Sequence, residues 1–199
     1  MKPIELKKAS NYLEMPPVGA YVAEVKNARI VEASGNQRYD RLELMTEIIE
    51  GDYKGRFGQI FEDQKERGYD AKWKGIFRLS LPTEGQDNSK IEQWVSNQIF
   101  CVVYDGTSKE YRWDGDPKSL VGKKVGINMR KKLYNYTNRE GELIDGETTE
   151  IGRLETVDDV KAGKCRIMRE RDTRQNKDTS ATDSQGFTDV SKSTVDVPW

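Results

Sequence analysis

The sequence contains no histidine. That removes Ser-His-Asp and Cys-His nucleophile arrangements, imidazole acid–base work and the usual zinc deaminase site. Cysteine is scarce as well. Cys101 and Cys165 stand far apart and outside any C-x-x-C spacing. They support neither a structural zinc site nor a disulfide framework, and read as free thiols of a reducing compartment. No apolar run approaches the roughly 18 residues that a spanning helix needs. The basic start MKPIELKK is followed by no apolar stretch, so no signal peptide is expected either. The phosphate-cradling patterns G-x-x-x-x-G-K-[ST] and G-x-G-x-x-G are missing, and no internal repeat is visible. Charge of one sign is lacking too, since the formal net charge is -1. Balance of this kind neither demands nor forbids a nucleic-acid partner. Between Glu170 and Trp199 six acidic side chains face four basic ones, which makes that stretch -2 and the preceding part +1.

What remains is a polar but aromatic-bearing chain of 199 residues, 35% apolar and 34% charged, with four Trp, nine Tyr and five Phe. This fits one domain with an ordinary core rather than wholesale disorder. Residues 1–15 read as a polar lead-in, 16–168 as the folded domain and 169–199 as a flexible tail. From about Thr173 the composition turns to Ser, Thr, Asp, Asn, Gln and Lys, which offers nothing to bury.

Pro16-Pro17 sets an extended entry. Gly19 to Val31 alternates as a first strand, with Tyr21, Ala23 and Val25 on one side and a slip of period near Asn27-Ala28 that suggests a bulge. Tyr39 to Ile49 is a second strand with Leu42, Leu44, Thr46 and Ile48 inward, and a turn at Glu50 to Gly55 leads to a third at Arg56 to Glu62. Trp73 to Leu81 fits a short helix or a strand equally. Lys90 to Val103 carries Ile91, Trp94, Val95, Gln98, Ile99 and Val102 at helical spacing. Lys124 to Tyr136 is a fourth strand and Glu150 to Val157 a fifth. The pattern predicts a mostly β fold: an OB-fold-like five-stranded barrel with an inserted α-helix and a disordered C-terminal tail. A mixed α+β sheet with a covering helix has the same element list.

Without histidine, the one enzymatic option left is a carboxylate-only Mg²⁺ site of a nuclease, drawn from Asp40, Glu43, Glu47, Glu62 and Asp63. Those positions equally suit ordinary solvated faces. No cofactor and no resident metal are expected. Single-strand binding needs cations along the phosphates and aromatic faces for the bases. Tyr53, Lys54, Arg56 and Phe57 interleave the two, and so do Arg130, Lys132, Tyr134, Tyr136 and Arg139. Alternation places Arg130, Lys132, Tyr134 and Tyr136 on the face opposite Val125, Ile127 and Met129. Arg38, Tyr39 and Arg41 are expected to join the same surface. The alternative is a solvated basic face above aromatics that cap the core. Trp73, Trp94 and Phe77 read as core residues. Trp199, in the tip Asp196-Val197-Pro198-Trp199, reads as an anchor for a partner pocket.

The segments P-P-x-G-x-Y (Pro16, Pro17, Gly19, Tyr21), Ile48 to Phe57 (IIEGDYKGRF) and Ser119 to Gly126 (SLVGKKVG) resemble phage-encoded single-stranded DNA-binding proteins of Gram-positive bacteria. The similarity covers most of residues 16–160. It implies an OB-type fold, non-catalytic binding and protection of single-stranded DNA, and a role in phage replication or recombination in the host cytoplasm. The tip is similar to the Asp-x-Pro-Phe ends of bacterial single-stranded DNA-binding proteins, with Trp199 where those carry Phe and with a thinner acidic run. That implies recruitment of replication or recombination proteins through Asp196, Val197, Pro198 and Trp199. A protein-interaction adaptor that does not bind DNA is the runner-up, and homo-oligomerisation is left open. No membrane partner is expected.

Overall fold

The computed structural model describes residues 13–35, 38–82, 89–104, 113–138 and 140–174. Strand β1 (Gly19–Val31) pairs antiparallel with β2 (Arg41–Ile48) and, through its first half, with β4 (Lys124–Thr137). Strand β3 (Ile76–Ser80) continues the sheet beyond β2, and β5 (Leu143–Glu155) continues it beyond β4. The order is β3-β2-β1-β4-β5, with a two-residue β6 (Arg171–Asp172) added parallel to β4. The described residues also form three α-helices: α1 (Arg56–Glu66), α2 (Ser89–Val103) and α3 (Val157–Lys161). Among the described residues no helix is long and apolar enough to cross a membrane.

Cross-strand partners share a face, so the register identifies the core. Val25, Leu42, Leu44, Leu79, Val125, Ile127, Met129 and Leu154 point inward and are each fully buried. The inward face of β2 is the one its alternation predicts. The register slip in β1 falls between Val25 and Asn27, so Lys26 is the extra residue of the bulge. Helix α2 lays Val95, Ile99 and Val102 on the inward face of the sheet, the face its periodicity requires. Of the aromatics read as core, Phe77 is buried, while Trp73 and Trp94 pack partly buried against the core.

Several expectations are corrected. The segment expected as a third strand is helix α1. Phe57, Ile60 and Phe61 stand at i, i+3 and i+4, a helical spacing that Gly58 and Gln59 disguise as alternation. Gly55 enters the helix at φ 73°, and the Glu47 carboxylate accepts from the Phe57 and Gly58 amides at 3.1 and 2.6 Å. A carboxylate at the positive end of a helix is favourable. The real third strand is Ile76–Ser80 within the ambiguous segment. Strand β5 starts seven residues before the expected Glu150, and Val157 belongs to α3. The chain is also held beyond residue 168, because Thr173 donates its amide and hydroxyl to the Leu133 carbonyl, both at 2.9 Å. The barrel does not close. β3 and β5 approach each other but form no ladder. At the free edge of β5 the buried Gln98 of α2 accepts from the Leu154 amide at 2.7 Å, filling with a side chain a bond that a closing strand would make.

Candidate nucleic-acid interface

Strands β4 and β5 run on past the end of β1, whose first residue Gly19 is opposite Met129. From Arg130 to Thr137 and from Leu143 to Glu150 they form a projecting two-stranded arm. Strand β6 takes the β4 edge that β1 has left, beside Lys132 and Leu133. Arg130, Lys132, Tyr134 and Tyr136 share the outer face of this arm, as their alternation predicts, and Glu150 lies among the cations. Arg130 Nη2 is 2.9 Å from its carboxylate, Arg171 Nη1 3.4 Å and Lys132 Nζ 3.6 Å. Three cations from two strands thus surround one anion, a local excess of two positive charges. The pairs are only partly exposed, with Arg130 at 18% and Glu150 at 23%. Further along, the rings of Tyr134 and Tyr136 lie 6.2 Å apart at 34°.

A second cluster has the same design. Glu43 on β2 accepts from Arg29 on β1 (2.7 Å) and Arg78 on β3 (2.8 Å). Burial by itself would push the Glu43 carboxyl up. Hydrogen bonds from the two arginines outweigh it and hold the carboxyl below its ordinary value. Arg41 shares this outer face one alternation away, and the Arg38 guanidinium lies over the Tyr39 ring at 5.3 Å in the preceding loop. These three residues do not join the arm, which corrects the expectation of one common surface. Arg29 lies ten positions along β1 from Gly19, a path of about 30 Å at ~3.3 Å per residue. The outer face between the clusters is covered. Val160 of α3 sits against Gly126, and the buried Asn128 donates to Glu155 Oε1 (3.0 Å) and to the Arg166 carbonyl (2.9 Å).

The aromatic and basic turn before α1 forms a third group. Arg56 lies over the Tyr53 ring at 5.3 Å, and Tyr53 meets Tyr21 edge-on at 5.6 Å. Lys54 is exposed. Phe57 is removed from the interface, because its side chain is fully buried, with its ring against Gly75. Helix α1 turns it inward where a strand would have turned it out. Arg139 and the tip residues Asp196, Val197, Pro198 and Trp199 lie outside the described residues.

The carboxylates once eligible for a metal are dispersed by other duties. Glu43 holds two arginines, Glu47 caps α1, Asp40 accepts from the Ala33 amide, and Glu62 and Asp63 pair with Lys65 and Arg67. Among the described residues no three Asp, Glu or Cys side chains converge as a metal-binding group. Sequence reasoning missed Arg29, Arg78 and Arg171, whose carboxylate partners all lie on other strands. The available signal for Arg78 was its place between the inward-facing Phe77 and Leu79. No protein-family model matches the chain, and no curated protein is significantly similar to it.

Proposed function

We propose that this protein binds single-stranded DNA without catalysis, as a phage-type protein of replication or recombination in the host cytoplasm. The observation that carries the reading is the pair of cation clusters on the outer face of one sheet, the arm cluster continuing into Tyr134 and Tyr136. Cations that outnumber their central carboxylate have charge left for phosphates, and adjacent aromatic rings suit unpaired bases. The sheet order supports an OB-type assignment. In that fold a partly open five-stranded barrel binds oligonucleotides over strands 2 and 3 and over the loops after strands 1 and 4. On an OB-type assignment those places would be the Arg29–Glu43–Arg78 cluster, Arg38 with Tyr39, and the arm. Recruitment of partners by residues 196–199 belongs to the same proposal and rests on the sequence.

The test is fluorescence anisotropy of labelled oligo-dT with the full-length protein. Affinity should fall steeply with salt, and Arg130→Ala combined with Lys132→Ala should weaken it at every sequence. No binding at low salt refutes the reading and leaves the adaptor. Unchanged affinity in the double variant moves the contact to the Glu43 cluster. Mg²⁺-dependent cleavage of the oligonucleotide in the same tube would reveal a nuclease instead.

A further inference from the structure

Gly146 stands inside β5 opposite Tyr134. It is not among the glycines with positive φ, so its backbone requires no glycine, and a glycine inside a strand weakens it. Its surroundings explain it. A Cβ at this position would lie 2.8 Å from Tyr134 Cζ, 3.0 Å from its hydroxyl oxygen and 3.1 Å from Cε2. The far half of the Tyr134 ring therefore rests on bare backbone across the arm, and any side chain at 146 would lift it. Tyr136, 51% exposed, stands beside it. Holding a base between two rings takes two contact gaps of about 3.5 Å, so about 7 Å in all. The rings are 6.2 Å apart and tilted by 34°. They leave no slot between them and instead offer a joint outer surface. Lys132, on the same face one alternation toward the barrel, begins the cation cluster about 6.7 Å away along the strand.

We propose that Tyr134, laid on Gly146, and Tyr136 form a stacking platform for an unpaired nucleobase, whose flanking phosphates are held by Arg130, Lys132 and Arg171. Gly146 is a positioning residue that sets the ring flat. The inference rests on the proposed function and assigns its base-recognising part.

The experiment measures oligo-dT affinity and its salt slope for the full-length protein, four single variants and the Tyr134→Ala/Gly146→Ala double variant. Tyr134→Ala should weaken binding about five- to 150-fold, the range for loss of one stacked base. Its salt slope should stay unchanged, because no phosphate contact is lost. Tyr134→Phe should retain affinity, and Tyr134→Leu, which keeps apolar packing on Gly146 without an aromatic face, should lose it. Gly146→Ala should weaken binding in the native background but add nothing to Tyr134→Ala, the signature of two residues acting as one unit. If Gly146→Ala unfolds the arm, the Phe and Leu variants decide alone. Wild-type protein that binds oligo-dT while Tyr134→Ala and Tyr134→Leu bind equally well overturns the platform and leaves the proposed function standing. Wild-type protein that binds nothing overturns both.

Discussion

Replacing Glu150 by Gln should tighten DNA binding while loosening the fold. The carboxylate sits within 2.9–3.6 Å of Arg130, Arg171 and Lys132, so in the free protein it occupies the place a phosphate would take. Gln keeps the shape and an acceptor oxygen but removes the charge, raising the local excess from two to three. One more phosphate neutralised on a single strand steepens the dependence of log K on log salt by about 0.7. Referred to 1 M salt, where this term vanishes, that corresponds to about eightfold tighter binding at 50 mM. The stability change has the opposite sign. Partly exposed ion pairs contribute at most about 1 kcal/mol each, so unfolding in urea should become easier by about 1–2 kcal/mol. Anisotropy titrations of oligo-dT across a salt series, run beside denaturation curves, read both effects. Weaker binding by Glu150→Gln, or an unchanged salt slope, would mean that the carboxylate organises the cations instead of competing with the ligand, and the reasoning fails.

Phe57→Ala should lower unfolding free energy by about 3–5 kcal/mol in urea titration, as for a large buried aromatic; a change below ~0.5 kcal/mol would return Phe57 to the surface. Burial first, and then the nearby negative charge of Glu155, push the Cys101 and Cys165 thiols up from 9.0 to about 11. At pH 8 each should therefore react with iodoacetamide about 100-fold more slowly than a free cysteine peptide. Because the thiols ionise more readily in the unfolded chain, their contribution to stability is fully present below about pH 9 and is lost as pH rises to about 11. Alkylation at the rate of the free peptide would contradict the burial.

The elements legible in the sequence are those with one wet and one dry face. Strands β1, β2 and β4 and helix α2 each write their periodicity into apolar positions, because each packs one side on the common core. Helix α1 failed that test locally. Phe57, Gly58, Gln59, Ile60 and Phe61 satisfy both periods, and the decision comes from Glu47, ten residues upstream, capping the helix. The first half of β5 and all of β6 carry almost no apolar signal, since the arm is wet on both faces and is held by backbone pairing with β4. The same division runs through the interface. Arg130, Lys132, Tyr134 and Tyr136 lie on one strand, so alternation groups them. Arg29 with Arg78, and Arg171 with Arg130, meet only through pairing between strands distant in sequence, which no local pattern records.

Strand β6 fixes where Arg171 stands. Arg171 reaches Glu150 because two residues of parallel pairing and the Thr173 bonds to Leu133 hold it there. With the Arg174–Asp145 pair at 3.6 Å, they are the last described attachments before the chain continues toward residue 199. Under the proposed function, a partner hauling on that continuation would load the Arg174–Asp145 pair first and these bonds next, like a tab at the end of a zipper, and peeling them would carry Arg171 away from the arm. On that reading, capture of the tail and release of a DNA strand would be two ends of one lever.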